Sequence, residues 1–290
     1  MSQDVGESRH PLFRLIWWAS NLLLILALCL AVYSLLWEYS TRRYLKGFSD
    51  AIVPATSSTE AKIEAILNWM SYGPARSAGS SSISRDRDPT DTLNFTSLLQ
   101  VCGSATNAFI NLADSSGLAS RRLLLLDSNR RAKHVVAEVL IDSRWIVVDP
   151  AYRVILKAED GRLLTREDLA NPSVFLLVTS GIPGYDSYYT YDRTSHIRLS
   201  GVPGIGNFLR RTLDRFAPGW EDSAGLSLLL ERESLAAEMA SIALLLAAGF
   251  WRFSVRAYGE RRLGVRPVRI RAQARRAFQT FFDTASQKYE

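Results

Sequence analysis

The sequence predicts an α+β domain placed between two apolar helices of the membrane type. Residues 15–37 form an apolar run with only three polar interruptions, and a second apolar run covers residues 235–251. Between the runs, a stretch with helical spacing of apolar residues is followed by three short segments of strand-like composition. Helices followed by a group of strands within one segment are typical of an α+β domain.

The first apolar run is long enough to cross a bilayer as a helix. Trp17 and Trp18 mark one end of the run, and Trp37 and Tyr39 mark the other, as expected of interfacial aromatic residues. A cleaved signal peptide would have a shorter apolar core followed by a small-x-small cleavage site. The bulky residues after the run fit such a site badly, so we expect an uncleaved anchor at 15–37.

The second apolar run is shorter and contains Glu238. It can cross a bilayer if its flanks reach the interface. It can instead lie in the interface, because residues 226–238 mix leucines with charged side chains. We favour a crossing helix at 235–251, because residues 242–250 carry no charge.

The formal net charge of +6 is concentrated in the C-terminal tail. Residues 252–290 contain nine Arg and one Lys against three acidic residues, a balance of +7, which leaves −1 for the rest of the chain. A basic stretch beside an apolar run typically faces anionic lipid headgroups, and the tail contains no recognisable nucleic-acid-binding module. We therefore expect the lipid bilayer, and no nucleic acid, as the partner of this tail.

The basic tail also predicts the orientation of the chain, because Lys and Arg beside membrane spans favour the cytoplasmic side. The tail 252–290 is expected in the cytoplasm, and with two spans residues 1–14 lie there too. The segment between the spans is then on the outer, extracytoplasmic face of the cell membrane. Within it we expect one α+β domain at 44–200 and a linker or amphipathic segment at 201–234.

Cys102 is predicted at the start of a buried helix. Small and apolar residues follow it at helical spacing, and Gly117 is suited to end the helix. The unpaired N–H groups and the dipole of a helix N-terminus lower a thiol pKa and can hold an oxyanion. Cys29 lies in the first apolar run, so a disulfide with Cys102 is not expected. A lone cysteine is more often a small buried apolar residue, so a chemical role requires partners.

The partners are predicted in a β-hairpin. If Ile141 pairs with Arg144 across a two-residue turn, Val136 lies opposite Asp149, and His134 is the diagonal neighbour of Asp149 on the same face. A three-residue loop would shift the register by one and separate the two side chains. An imidazole can act as the base for a thiol, and a carboxylate orients that imidazole. The predicted catalytic residues are therefore Cys102, His134 and Asp149.

The segment from Val101 to Tyr152 resembles the transglutaminase-like superfamily, which has a papain-like fold. A cysteine that begins a helix with small residues is followed by Gly and Arg, then by a strand with His and an acid four residues later, and then by Trp and Asp-Pro. The corresponding residues here are Cys102, Ala105, Ala108, Gly117, Arg121, His134, Glu138, Trp145, Asp149 and Pro150. The sequence departs from the common pattern at Val135, where the family often has an aromatic residue.

The resemblance implies a papain-like transglutaminase core, with the cysteine helix packed on an antiparallel sheet that carries His and Asp. It also implies a thiol enzyme of membrane-anchored bacterial type that acts on peptide or protein amides, a protease, an amidase or a transglutaminase. A catalytically inactive domain acting as a membrane-tethered binding or assembly module is the alternative. No cofactor or metal is expected, since no Cys/His cluster has zinc-ligand spacing and no loop requires the calcium that some relatives use.

The remaining polar residues of the domain receive more modest interpretations. Gln100 resembles the oxyanion-hole glutamine of papain, although backbone N–H groups can serve instead. Glu138 is expected to be a solvated strand carboxylate, and His196 a surface residue. Arg121 is expected in a structural ion pair, and Trp145 in packing.

Overall fold

A computed structural model describes residues 11–55, 58–72, 87–197 and 206–264. For residues 206–209 it describes the backbone only. The chain divides into two compact units, one formed by residues 1–34 with 238–290 and the other by residues 35–237. The second unit contains a mixture of helices and an antiparallel sheet, so the predicted α+β class is confirmed.

Two long helices account for the described part of the first unit: α1 is Pro11–Ile52 and α9 is Glu233–Arg262. Both are long and apolar enough to cross a membrane. The two helices pair in antiparallel fashion, since Ser34 Oγ lies 2.6 Å from Ser241 Oγ and Arg252 Nε donates to Asn21 Oδ1 at 2.6 Å. Polar contacts of this kind are typical of helices that associate inside a membrane.

The helix α1 extends well beyond the predicted span. It continues to Ile52, whereas the apolar run ends at Trp37. The length of the apolar run predicts only the part of the helix that can lie in a membrane. The helix itself ends shortly before Pro54, because a proline disfavours helical backbone at the residue before it. The additional turns belong to the second unit.

The second unit contains the remaining elements in a simple chain order. The helices are α2 Thr59–Tyr72, α3 Pro89–Asn94, α4 Cys102–Ser115, α5 Arg166–Leu169, α6 Pro172–Ser180, α7 Gly206–Phe216 and α8 Ala224–Glu231. The strands are β1 Ser120–Leu126, β2 Ala132–Ile141, β3 Arg144–Asp149, β4 Val154–Ile155 and β5 Thr194–Ser195. Single 3₁₀ turns occur at Leu98–Gln100 and Trp220–Asp222.

The strands form one antiparallel sheet in the order β4-β3-β2-β1-β5. Its centre is the β2–β3 hairpin, in which Ile141 pairs with Arg144. The two turn residues, Asp142 and Ser143, have φ of 46° and 64°. Positive φ at both positions defines the type I′ turn that suits a two-residue hairpin. The predicted turn and register are confirmed.

The helix α4 packs on one face of the sheet. Its fully buried Ala105, Ala108, Phe109 and Leu112 join α2 and the inward side chains of β2 and β3 in one apolar core. The helix ends at Ser115, two residues before Gly117, which has φ of +77°, and Leu118 N donates to Ala113 O at 2.9 Å. Left-handed backbone after the last turn satisfies carbonyls that a helix leaves unpaired.

The other face of the sheet is covered by later parts of the chain. Leu123, Val136 and Val147 pack there with Phe175 of α6 and with Tyr191. The helices of residues 166–180 and the loop that follows therefore contribute to the core. The sheet is covered on both faces, which explains why β2 is buried over six consecutive residues instead of alternating.

The segment at 201–234, expected as a linker or amphipathic stretch, includes a helix that packs on the domain. The helix α8 lies beside β1 and α4, and the charged residues at its end are buried. Arg122 pairs with Glu231, whose side chain is 1% exposed. Arg232 pairs with Glu38 and Asp114. The alternative of an interfacial helix over 226–238 would expose Glu231 and Arg232, whereas the structure buries both.

Candidate active site

Cys102 is the first residue of α4, as predicted. Val101 precedes it with extended backbone and provides no side-chain cap, so the N–H groups of the first turn remain available. The thiol is half-buried. A nucleophile in this position is accessible and lies within the positive end of the helix dipole.

The surroundings of Cys102 favour the thiolate. A hydrogen bond with His134 lowers the pKa of the thiol below its ordinary value, burial acts in the opposite direction, and the charge of His134 lowers the pKa further. The backbone N–H groups of Val135 and Gly103 also donate to the sulfur and lower its pKa. Donors that stabilise a thiolate in this way are typical of reactive cysteines.

His134 and Asp149 are brought together by the hairpin. Ala137 pairs with Val148, which puts Asp149 diagonal to His134 on the same face. His134 Nε2 lies 2.7 Å from Asp149 Oδ2. The predicted contact is therefore confirmed, and it follows from the two-residue turn.

Asp149 is held in a fixed orientation. It is fully buried, and its second oxygen, Oδ1, accepts the backbone N–H of Ala151 at 3.0 Å and of Tyr152 at 3.3 Å. Both carboxylate oxygens therefore accept hydrogen bonds. A carboxylate bonded in this way cannot rotate away from the imidazole without leaving backbone donors unpaired.

His134 is charged over an unusually wide pH range. Burial lowers its pKa, but the hydrogen bonds to Asp149 and Cys102 and the charges of both groups raise it, to about 9. Because Nε2 is occupied by Asp149, Nδ1 is the ring nitrogen left for the sulfur. A low thiol pKa beside a high imidazole pKa favours a thiolate–imidazolium pair at neutral pH.

Tyrosine side chains surround the imidazole. The ring of Tyr189 stacks on His134 with 4.2 Å between centroids and 10° between planes. Tyr152 and Tyr185 contact the imidazole edge-on, at 5.9 and 6.2 Å. Burial raises the pKa of Tyr185 and of Tyr191, so both phenols are neutral at physiological pH. An aromatic face against an imidazolium stabilises the charged ring.

The sequence alone did not indicate this tyrosine shell. Residues 181–191 are rich in Gly and Tyr, a composition that predicts a loop. The structure confirms irregular backbone there, but the loop packs against the candidate site. Four tyrosines within seven residues, from Tyr185 to Tyr191, were the available signal.

Arg153 is a second feature that sequence reasoning missed. Its Nη2 donates to Leu99 O at 2.6 Å, and its Nη1 donates to Ala151 O. The side chain thus connects the segment before Cys102 with the segment after Asp149. Its backbone has φ of 59°, which is uncommon for a residue with a side chain.

Gln100 lies in the 3₁₀ turn that precedes α4, and it is exposed. Its position two residues before Cys102 keeps it near the start of α4, where the backbone N–H groups are also available. The oxyanion role of Gln100 stays a prediction.

Two expectations about the neighbouring charges are wrong. Glu138 and His196 were expected at the surface, but they are 1% and 4% exposed. His196 Nε2 lies 2.7 Å from Glu138 Oε2, and His196 Nδ1 lies 2.8 Å from Asp222 Oδ1. The expected ion pair of Arg121 is present, since Arg121 Nε donates to Glu138 at 2.7 Å.

Trp145 lies beside this cluster. The guanidinium of Arg121 lies 3.9 Å from the centroid of the Trp145 ring, which agrees with the packing role expected for the tryptophan. The buried cluster therefore has its charges paired. It belongs to the framework of the domain.

A helix that begins with cysteine and packs on an antiparallel sheet carrying His and Asp defines the papain-like class of fold. A family model of the transglutaminase-like superfamily matches residues 46–150, which contain Cys102, His134 and Asp149. The chain therefore carries a domain of the transglutaminase-like superfamily. Searches among curated proteins and among solved structures give no match. The matched region ends before Tyr152 and before the loop that carries Tyr189.

Proposed function

We propose that this protein is a membrane-anchored thiol enzyme that transfers acyl groups from peptide or protein amides. The observation that carries the proposal is the hydrogen bond of His134 to Asp149, together with the lowering of the Cys102 thiol pKa by the same imidazole. Superfamily membership supports a cysteine-dependent reaction. No cofactor is required by this chemistry.

The proposed reaction begins with attack of the Cys102 thiolate on the carbonyl carbon of an amide. A carbon–sulfur bond forms, and the electrons of the carbonyl double bond move to oxygen. The tetrahedral intermediate then collapses, the carbon–nitrogen bond breaks, and the imidazolium of His134 donates its proton to the leaving amine. The product of this half-reaction is a thioester on Cys102.

The second half-reaction releases the acyl group from Cys102. His134, now neutral, accepts a proton from water or from an amine, which attacks the thioester carbonyl. Water yields a carboxylic acid, as in a protease or amidase, and an amine yields a new amide, as in a transglutaminase. In both cases the thiolate and the imidazolium are regenerated.

The oxyanion of each tetrahedral intermediate requires hydrogen-bond donors. The N–H groups in the first turn of α4 are candidates, because no side chain caps that end of the helix. Gln100 is the second candidate. Replacement of Gln100 by Ala should lower kcat with little effect on KM if its amide holds the oxyanion, and should leave both unchanged if the backbone suffices.

The decisive experiment measures how fast iodoacetamide alkylates the full-length protein in detergent micelles between pH 5 and 9. We expect fast labelling of Cys102 at low pH, because its pKa is lowered, and loss of that reactivity in His134→Ala. Cys29→Ala is the matched control and should retain the fast phase. Labelling that rises only near the pKa of a free thiol, about 8.5, would instead favour the inactive binding or assembly module.

Turnover provides the second arm of the test. Cys102→Ala should abolish hydrolysis or amine transfer on a panel of peptide amides, and its thermal unfolding should remain close to that of the wild type. Activity at the wild-type level in this variant would exclude a thiol mechanism.

We also propose that both termini are cytoplasmic and that the domain faces the extracytoplasmic side of the cell membrane. The excess of arginine in residues 252–290 supports this orientation. A reporter fused after Glu290 should behave as cytoplasmic, and a reporter that reads out on the opposite side would invert the topology. A cell-envelope peptide or protein is then the expected substrate.

A further inference from the structure

The helix α7 has an unusual surface. It is 11 residues long, and in its last two turns Leu213 and Phe216 lie on one side while Arg211 and Arg215 lie on the other. Phe216 is 78% exposed, more than any other large apolar side chain in the part of the chain that the structure describes. A phenylalanine at this exposure, outside both apolar runs, requires an explanation.

The cations of α7 differ in their partners. Arg210 pairs with Glu221 at 2.8 Å, and Asp214 accepts the indole N–H of Trp220 at 2.9 Å. Arg211 and Arg215 are exposed, and no carboxylate of residues 11–55, 58–72, 87–197 or 206–264 lies within ion-pair distance of either. One side of α7 is therefore attached to the chain, and the other presents two unneutralised positive charges.

The attachment of α7 lies at the same end of the domain as the junctions with the apolar runs. Arg121, at the start of β1, donates to Asp222 O at 2.8 Å, directly after Trp220 and Glu221. The start of β1 follows the C-terminus of α4, where Asp114 pairs with Arg232. Arg232 also pairs with Glu38, and Glu38 follows the first apolar run immediately.

Cys102 lies at the opposite end of α4. The twelve residue-to-residue steps from Cys102 to Asp114 span about 18 Å along the helix axis. The helix α7, which is attached at the start of β1, therefore lies at the end of the domain that contains Glu38 and Arg232. Cys102 lies at the other end.

We propose that α7 is an interfacial helix, in which Leu213 and Phe216 enter the acyl boundary of the bilayer and Arg211 and Arg215 bind lipid phosphates. The side chain of Phe216 is exposed and that of Leu213 is half-buried, and apolar side chains opposite basic ones are the recognised pattern of helices that lie in a membrane interface. Anionic phospholipid is the partner that fits, because the free charges of this surface are positive. The two apolar runs already attach the chain to the membrane. Contact at α7 adds a third attachment, which fixes the orientation of the domain relative to the membrane.

The strength of the contact should depend on lipid charge. Each basic residue close to an anionic surface contributes about 1 kcal/mol, which corresponds to about fivefold in the ratio of bound to free helix. Replacement of both Arg211 and Arg215 by Gln should therefore lower that ratio by about 25-fold in an anionic bilayer. In a bilayer of phosphatidylcholine alone, the same replacements should change the ratio much less.

The test uses the full-length chain in nanodiscs of phosphatidylcholine, with or without about one third phosphatidylglycerol. A fluorophore that reports water exposure is attached at Phe216→Cys, in a background of Cys29→Ser and Cys102→Ser. With phosphatidylglycerol present we expect blue-shifted emission that is quenched by lipids with a spin label near the headgroup. Arg211→Gln with Arg215→Gln should remove both effects.

Leu176→Cys is the matched control, because Leu176 is an apolar side chain that is 54% exposed on α6, a helix whose sequence contains no arginine. Its label should remain in water in both nanodiscs. Hydrogen exchange of the unlabelled wild type provides an independent reading, with slower exchange at residues 210–216 in anionic nanodiscs. A label at position 216 that stays in water, together with unchanged exchange, would refute the proposal and would favour a protein partner for α7.

Discussion

Replacement of Asp149 by Asn tests how the carboxylate supports the candidate site. Asp149 accepts hydrogen bonds on both oxygens, from His134 on Oδ2 and from the N–H groups of Ala151 and Tyr152 on Oδ1. An asparagine has only one acceptor oxygen. In either orientation its NH₂ group therefore faces another donor, and the negative charge is lost as well.

The magnitude follows from the pKa of His134. The difference between the ordinary value of 6.5 and about 9 corresponds to about 3 kcal/mol in favour of the protonated ring, at about 1.4 kcal/mol per pKa unit. Asp149 and Cys102 share this effect, so the asparagine variant should lose more than one pKa unit, which places its His134 between about 7 and 8. At pH 8 the protonated fraction would then fall about fourfold.

The assay is the pH dependence of kcat/KM. In the wild type, activity should rise as Cys102 ionises below its ordinary pKa and should fall near pH 9 as His134 loses its proton. In Asp149→Asn the decline of kcat/KM at alkaline pH, which we call the alkaline limb, should move toward neutral pH. Activity should be reduced but not abolished. Asp222→Asn, which removes a carboxylate from His196, is the matched control and should leave the limb in place. An alkaline limb that stays near pH 9 in Asp149→Asn would refute this account.

The same pKa predicts how stability depends on pH. Because the folded-state pKa of His134 lies above its ordinary value, its contribution to stability is complete below about pH 6.5 and is lost as pH rises through about 9. The contribution of His134 to the free energy of unfolding should therefore decrease by up to about 3 kcal/mol across this window, while Cys102, whose folded-state pKa is lowered, contributes in the opposite direction. A variant His134→Gln, which cannot titrate, should lack this decrease in urea unfolding experiments.

Two further variants test other parts of the domain. Tyr189→Leu removes the ring stacked on His134 and should lower the pKa of the alkaline decline in kcat/KM by about 0.4 to 0.7 unit. The reason is that a cation over an aromatic face gains about 0.5–1 kcal/mol, at about 1.4 kcal/mol per pKa unit. Tyr189→Phe should preserve that pKa, and equal profiles for the two variants would exclude a role for the stack. Arg232→Met removes one of the partners of the buried Glu38, which keeps Arg42 and Ser234, and should cost more than about 1 kcal/mol in urea unfolding. The exposed pair of Arg256 with Glu260 provides the comparison, since Arg256→Met should cost less than about 1 kcal/mol.

The helix and the hairpin that carry the candidate site could be predicted because their determinants are local. Helical spacing after Cys102 and the left-handed Gly117 determine where α4 begins and ends. The two-residue turn determines the register of the hairpin, and a change of one residue in that loop would have separated His134 from Asp149. These features depend on residues within a few positions of one another.

The burial of the charged residues could not be predicted in the same way. Glu138 was expected in solvent because an isolated strand with one charged residue usually exposes it. In the structure, Arg121 and His196 surround Glu138, and His196 lies 58 residues away along the chain. A sequence pattern indicates which face of a strand a residue occupies, but it does not indicate what covers that face.

The sequence by itself determined the two apolar helices, the position of Cys102 at a helix N-terminus and the pairing of His134 with Asp149, since each follows from spacing within one short segment. The tertiary structure alone decided that Tyr189 stacks on His134 and that Arg232 is buried against Glu38, 194 residues away along the chain. The physical reason is that a buried charge or ring is stabilised by partners that the folded chain brings together, and distance along the sequence carries no record of those partners.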